Sequence, residues 1–172
     1  MRKIWVILWY CIFQYLPSST FPLIGGKSEK MRAWCCKHIF AYCGDNVNIG
    51  RHAHFGIGGG VSIGYNSGIG VRAVIPSNIT IGEHVMMGPD VTIYGSNHAY
   101  DRVDVPMTQQ GFKKYPPVVI EDDVWIGGHV IINAGRTIKK GTIVAAGSVV
   151  TKDFPEYSII GGNPARLIKS RI

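Results

Sequence analysis

Apolar residues recur at every sixth position over much of this chain. Between residues 57 and 93 the repeated positions are Ile57, Ile63, Ile69, Ile75, Ile81, Met87 and Ile93. Small or aliphatic side chains mostly follow four positions later, at Val61, Ser67, Ala73, Ile79, Val85 and Val91. Residues an even number apart share one face of an extended chain, so both positions point inward if a turn closes each unit. A fixed six-residue period over this length predicts a β-solenoid.

The same period resumes in a new frame at residue 120. The repeated positions are Ile120, Ile126, Ile132, Ile138, Val144 and Val150, with Val124, Val130, Thr142 and Ser148 four positions later. The interval from Ile93 to Ile120 is not a multiple of six, so part of residues 94–117 must leave the solenoid as a loop. Long loops on a rigid repeat are usually functional. Arg136 occupies an inward position, and Lys139 a position where glycine is usual, which predicts either a distorted coil or an outward Arg136 at a subunit contact.

A helical segment is predicted before the repeats. Residues 4–13 form an apolar run behind Arg2 and Lys3, too short to span a bilayer as a helix. Three interpretations of this run are compatible with the sequence: a helix that packs on the repeats, contact of residues 4–16 with a membrane surface, and a secretory signal. Residues 29–43 place one apolar stripe at helical spacing: Met31, Trp34, Cys35, His38, Ile39 and Tyr42. We expect His38 to be a core or interface residue rather than a ligand.

Charge and cysteine content narrow the function classes. The net charge of +7 favours anionic partners, which include phosphate-bearing cofactors, acidic membrane surfaces and nucleic acid. The scattered basic residues and the absence of a nucleic-acid-binding motif argue against the last of these. All four cysteines lie in the first 43 residues at spacings that match no zinc site. We expect free thiols and a cytoplasmic protein.

Three motifs carry a family resemblance: SNHAYD at 96–101, DDVWIGGHVIINAGRTI at 122–138, and VAAGSVVTKDFPEYSIIGGNPARLIK at 144–169. With the hexapeptide pattern they resemble the left-handed parallel β-helix acyltransferases. Within that group the chain is similar to O-acetyltransferases of the maltose/galactoside type. It is more closely similar to enzymes of exopolysaccharide and capsule biosynthesis, such as the colanic acid acetyltransferases.

The resemblance covers about residues 44–169. It implies a left-handed, triangular all-β solenoid, a homotrimer, and acetyl-CoA as co-substrate without a metal. The implied function is acetyl transfer to a hydroxyl of a sugar or polysaccharide precursor in the cytoplasm, at the inner face of the membrane if the N-terminus touches it. The predicted organisation is a helical segment at 1–43 and a solenoid domain at 44–172, with a loop at 94–117 and a closing segment at 154–172.

The resemblance also implies roles for individual residues. His98 would be the general base, because an imidazole titrates near neutral pH and can take the proton of an acceptor hydroxyl that attacks acetyl-CoA directly. Asp101 would assist it or be a solvated loop residue, and a backbone N–H near Gly128 would stabilise the oxyanion. The implied CoA-binding residues are Trp125, Gly128, Ala146, Thr151, Lys152, Arg166 and Lys169. Candidates for binding the acceptor are Asn66, Arg72, Asn78, Asn97 and Asp101.

Three other functions compete with this interpretation. Streptogramin-type acetyltransferases share an Asn-His motif in a similar loop and act on a hydrophobic macrocycle. The γ-type carbonic anhydrases use a similar fold with zinc held by histidines, but the H-x4-H pair of that class is absent here. A non-catalytic scaffold would need neither the SNHAYD loop nor the CoA-binding residues.

Overall fold

The computed structural model describes residues 1–172. Two α-helices come first, α1 (Arg2–Cys11) and α2 (Gly25–Lys37), and single 3-10 turns lie at Phe13–Tyr15 and Met107–Gln109. Seventeen short strands follow: β1 (Tyr42–Cys43), β2 (Asn48–Ile49), β3 (Ser62–Ile63), β4 (Gly68–Ile69), β5 (Thr80–Ile81), β6 (Met86–Met87), β7 (Thr92–Ile93), β8 (Asn97–His98), β9 (Phe112–Lys113), β10 (Val119–Ile120), β11 (Trp125–Ile126), β12 (Ile131–Ile132), β13 (Thr137–Ile138), β14 (Ile143–Val144), β15 (Val149–Val150), β16 (Ser158–Gly161) and β17 (Arg166–Ser170).

The strands form the three faces of a prism. The first face stacks β1, β3, β5, β10 and β13, all parallel. The second stacks β2 and β4, then β6, β11, β14 and β16, and β17 closes it in antiparallel direction. The third is made of β7, β12 and β15, extended by bridges from Val74 to His54 and Thr92. This architecture confirms the predicted left-handed parallel β-helix.

The interior of the prism confirms most predicted inward positions. Apart from Arg136, the inward residues predicted from residue 120 onward are buried, as are all six predicted four places after the aliphatic positions between 57 and 91. Met87 is half-buried against the same core. The prediction for Ile57 is wrong, since this side chain is 70% exposed. Phe55 fills the interior instead, and an extra-long corner containing Gly58 and Gly60 restores the frame at Val61. The buried repeat extends back to Ile49 and Ala53, which lie before the residue 57 from which the period was read but inside the predicted solenoid domain at 44–172.

The two helices cover the N-terminal end of the prism. In α1, the indole of Trp9 donates to the Ala53 carbonyl at 3.1 Å, and the hydroxyl of Tyr10 donates to the Gly56 carbonyl at 3.0 Å. These hydrogen bonds attach the helix to the first coil, whose core would otherwise be open to water.

The predicted stripe on the second helix is wrong in part. Met31 and Trp34 are 47% and 50% exposed, whereas Arg32 is 1% exposed on the face that packs against β2. The reason is that the face of α2 that packs on the prism carries Gly25, Ser28 and Arg32. Carbonyl groups of Ile49 and Pro17 accept hydrogen bonds from the Arg32 guanidinium. His38 lies just beyond the helix, exposed, with its ring stacked on Trp5 at 4.3 Å. Because its side chain is exposed, His38 is not a core residue.

Arg136 does not enter the prism. Its Nη1 lies 3.4 Å from Asp153 Oδ1, and Ala134 is buried in its place. The coil is not distorted, because β13 pairs with β10 in regular register. Of the two alternatives, the outward orientation is therefore correct.

Candidate active site

The loop between β7 and β10 carries His98 on a short hairpin. Strands β8 and β9 pair in antiparallel direction, with His98 opposite Phe112. The two rings stack at 4.4 Å between centroids and 30° between planes. The imidazole is exposed, and none of the loop's hydrogen bonds involves it. A histidine held by stacking alone keeps both ring nitrogens available to a substrate.

Asp101 is engaged elsewhere in the same loop. Its Oδ1 accepts a hydrogen bond from Lys113 Nζ at 2.7 Å, and this bond raises the pKa of the lysine. The same ammonium lies 4.1 Å from the centre of the Tyr100 ring. Asp101 therefore helps to hold the hairpin closed through β9 and makes no hydrogen bond to His98.

A second feature is the corner between the second and third faces, which we call the glycine edge. It consists of the pairs Gly50–Arg51, Gly70–Val71, Gly88–Pro89, Gly127–Gly128 and Ala145–Ala146, stacked one per coil. A Cβ on Gly88 would lie 2.6 Å from Gly128 N, and one on Gly127 would lie 2.5 Å from Ala146 N. The N–H groups of Gly128 and Ala146 donate no hydrogen bond within the chain. Glycine thus leaves these donors uncovered for a ligand that runs along the edge.

The remaining predicted CoA-binding residues lie on β17, on the second face and beyond the third face. Arg166 begins β17, and its neighbour Ala165 donates to the Val149 carbonyl at 2.8 Å. Trp125 is half-exposed on the second face, in a row of paired positions that ends at Lys169. Thr151 and Lys152 are exposed after β15, at the far side of the third face. Trp125, Arg166 and Lys169 therefore flank the glycine edge, whereas Thr151 and Lys152 lie at the corner between the third and first faces.

The predicted acceptor residues are not brought together. Asn66 lies at the corner between the first and second faces, with its Nδ2 3.0 Å from His84 Nδ1. Arg72 lies on the glycine edge and binds Asp90 through two hydrogen bonds of 2.7 and 2.6 Å, which lower the pKa of that carboxyl. Asn78 lines a groove beside Tyr94, where the loop leaves the prism, and Asn97 lies next to His98 on β8.

The sequence analysis missed two arginines at the N-terminal end of the glycine edge. Arg32 and Arg51 line one pocket together with Ser18 and Ser19. Burial lowers the pKa of Arg32, Glu29 opposes that shift, and Arg51 adds to it. The available signal was the spacing of Ser28, Arg32 and Cys36, which lie four apart on one helix face. No group of three or more His, Cys, Asp or Glu side chains is placed to hold a metal ion.

Comparison with known proteins assigns the family. Residues 117–152 match the profile "Bacterial transferase hexapeptide (six repeats)". A putative acetyltransferase of Saccharomyces cerevisiae is 35% identical over 87% of this chain and 76% of its own length. This chain belongs to the hexapeptide-repeat acetyltransferases. The galactoside O-acetyltransferase of Escherichia coli is 34% identical over 77% of this chain, which spans 65% of that enzyme's length.

Solved structures of this acetyltransferase family agree with the fold. A hexapeptide-repeat acetyltransferase from Vibrio cholerae, complexed with acetyl coenzyme A, superposes with a TM-score of 0.81 at 34% identity. The match covers 98% of this chain and 86% of that one. A galactoside acetyltransferase in complex with coenzyme A gives a TM-score of 0.80 at 29% identity, covering 98% and 80% of the two chains. The closer similarity to colanic acid acetyltransferases stays a prediction.

Proposed function

We propose that this chain transfers the acetyl group of acetyl-CoA to a hydroxyl of a saccharide, with His98 as the general base. The observation that carries the proposal is the exposed, unpartnered imidazole on a hairpin beside a solenoid whose glycine edge offers free N–H groups. Family membership supports the acetyl donor, since two similar structures hold acetyl coenzyme A or coenzyme A. Two relatives named galactoside O-acetyltransferase support a sugar acceptor.

The proposed reaction needs one base and one oxyanion site. A ring nitrogen of His98 takes the proton of the acceptor hydroxyl while its oxygen attacks the thioester carbonyl carbon. The carbonyl oxygen becomes negative, and the free N–H of Gly128 is placed on the edge to stabilise it. Collapse of the tetrahedral intermediate breaks the carbon–sulfur bond, and the imidazolium returns its proton to the thiolate. The products are the sugar acetyl ester and CoA.

The positions of the two elements support a homotrimer with shared sites. The loop leaves the prism at the corner between the third and first faces, whereas the glycine edge lies between the second and third. The loop packs on its own corner, where Tyr115 lies against Gly135. The second face also exposes Met86 and Trp125, at 60% and 50%. Packing this face against a copy would bury the apolar row and bring one chain's loop to another's glycine edge.

Replacement of His98 tests the proposed base. We expect His98→Ala to lower turnover with acetyl-CoA and a saccharide acceptor by a factor of about 100 or more. Acetyl-CoA affinity, measured by calorimetry, should stay within a factor of about two, because His98 is assigned to the proton transfer and not to the residues that bind CoA. Phe112→Leu is the companion variant: it keeps the imidazole, removes the stacked ring, and should lose less turnover. If His98→Ala turns over at close to the wild-type rate, His98 is not the general base.

The first helix supports a further part of the proposal, contact with an anionic lipid surface. Ile4, Ile7 and Tyr15 are 59%, 60% and 58% exposed on the cap of the prism. Arg2 and Lys3 begin the same helix, and residues 1–28 contain no Asp or Glu. An exposed apolar stripe beside basic residues matches an interfacial helix. No helix of this chain combines the length and apolar character needed to cross a bilayer.

Vesicle flotation tests the lipid contact. We expect the wild-type protein to float with vesicles that contain about one-third anionic phospholipid, and to bind purely zwitterionic vesicles several-fold less. A double variant with Ile4→Ser and Ile7→Ser should lose most of the binding. Val103→Ser, at a fully exposed loop position, is the matched control and should bind like wild type. If all three proteins float equally, the proposed contact of the first helix with lipid is refuted.

A further inference from the structure

A pocket of about 280 Å³ lies at the N-terminal end of the glycine edge. The segment before α2 contributes Ser18 and Ser19, the helix contributes Arg32, and the edge contributes Arg51 and Val71. Stacked coils are roughly 4.8 Å apart, so Val71 lies two coils, or about 10 Å, from Gly128 on the same edge. The pocket therefore continues the surface to which we assign the cofactor.

Both arginines of the pocket have N–H groups without an acceptor. Arg32 donates from Nε to the Ile49 carbonyl at 2.6 Å and from Nη1 to the Pro17 carbonyl at 2.8 Å, and its Nη2 donates to nothing. Arg51 has no hydrogen bond or ion pair from its side chain, and its Nε is buried without a partner. A buried donor without an acceptor is costly and rare in folded proteins.

The pocket has two positive charges and no counter-charge in contact. Neither Arg32 nor Arg51 forms a salt bridge, whereas Arg72, one coil further along the edge, is fully paired with Asp90. The backbone N–H groups of Arg51 and Val71 also donate no hydrogen bond within the chain. Guanidinium groups beside free backbone N–H groups form a set of donors that fits a carboxylate or a phosphate.

We propose that this pocket binds an anionic group of the acceptor, so that the substrate is an acidic saccharide, either a hexuronate or a sugar phosphate. The inference rests on the proposed function, because it places the acceptor beside the cofactor edge. Arg51 and the Val71 N–H hold the anion, Arg32 supplies the buried charge behind it, and the sugar ring extends along the edge toward Gly128. A neutral galactoside leaves these donors unfilled.

Two measurements on the full-length protein test the proposal. The first is calorimetric binding, without acetyl-CoA, of glucuronate, glucose 1-phosphate and methyl galactoside. We expect at least one of the two anionic sugars to bind about tenfold or more tightly than the neutral sugar, and the comparison of the two separates carboxylate from phosphate. Arg51→Gln should remove the preference and Arg51→Lys should keep part of it. Lys140→Gln, which removes one exposed charge away from the edge, should leave it unchanged.

The second measurement is KM for the same sugars with saturating acetyl-CoA, which should show the same order. Equal binding of charged and neutral sugars, or a preference that survives Arg51→Gln, would overturn the proposal. The failure of the proposed function looks different. If an anionic sugar binds through Arg51 but no sugar is acetylated, the anion-binding pocket is supported and the proposed acetyl transfer is refuted. If neutral sugars are acetylated and the rate does not depend on Arg51, the proposed acetyl transfer is supported and the anion-binding role of the pocket is refuted.

Discussion

The stacking of coils at the glycine edge predicts that Gly88→Ala destabilises the protein. A Cβ at this position would lie 2.6 Å from Gly128 N and 2.9 Å from both Gly127 C and Gly128 Cα. All three are backbone atoms of the next coil, so no side chain can rotate away. The two coils are also fixed to each other by the hydrogen bond from Gly88 N to the Ile126 carbonyl at 2.8 Å. Relief of the clash requires the backbone of one coil to move by about 0.5–1 Å.

The magnitude follows from the cost of overpacking. Forcing a methyl group into a packed site costs about 1–3 kcal/mol, and contact with backbone on one side places Gly88→Ala toward the upper end. The loss of a glycine from the unfolded chain returns about 0.4–1 kcal/mol. The net loss is about 2 kcal/mol, which corresponds to a fall in Tm of about 4–8 °C for a chain of this size. The new methyl group would also cover the N–H of Gly128, so activity should fall as well.

Thermal unfolding followed by circular dichroism measures the effect at a fixed protein concentration, because oligomerisation would make Tm depend on concentration. Gly26→Ala is the matched control, since a Cβ there meets nothing within 4 Å and the residue lies in α2. That variant should be as stable as wild type or slightly more stable. A Tm for Gly88→Ala within about 1 °C of the control would refute the argument from close coil packing.

Three further predictions concern reactivity, pH and the cofactor. Among the four cysteines only the exposed Cys11 should react quickly with a thiol reagent at pH 7.5, because burial raises the pKa of the other three thiols. Labelling should therefore show one fast thiol in the folded protein and three more after denaturation. The Arg72 hydrogen bond lowers the pKa of Asp90, so Asp90 contributes stability above its unfolded pKa. The Tm difference between wild type and Asp90→Asn should be present at pH 7, begin to shrink below about pH 4, and disappear only as pH falls through the lowered pKa of the folded state. Arg166→Ala should weaken CoA more than dephospho-CoA in a binding titration if the guanidinium meets the 3′-phosphate.

The hexapeptide period predicted the solenoid because the inward positions follow directly from side-chain alternation along a strand. The N-terminal region was less predictable. Ile57 fits the period yet is exposed, because an extra-long corner that contains glycine shifts the frame between Phe55 and Val61. The six-residue period alone does not reveal such an insertion. Met31 and Trp34 were expected to be buried because apolar side chains usually are, but the helix packs through Arg32. The four-residue spacing of Ser28, Arg32 and Cys36 marks this face, but a charged residue on it is not normally expected to be buried.

The candidate site was predictable to the extent that it lies in motifs. His98 and Gly128 fall in the loop and the glycine-rich turn that carry the family resemblance, and the structure places them as an exposed imidazole and a free N–H. The acceptor residues had no such motif, and the chain brings Asn66 to a different corner from Arg72. The pocket of Arg32 and Arg51 depends on residues from a helix and a coil corner, whose proximity arises only from the way the helix covers the prism.

Co-refolding of two variants tests the central proposal, that the protein is a homotrimer in which His98 of one chain acts on acetyl-CoA held at the glycine edge of another. Subunits with His98→Ala are co-refolded in equal amounts with subunits whose edge is blocked by Ala146→Glu, an exposed position. Each parent should be nearly inactive, and random assembly should pair an intact histidine with an intact edge at about one interface in four. The account predicts recovery of about a quarter of wild-type activity. A mixture shown by mass to contain hybrid trimers but as inactive as its parents would contradict it.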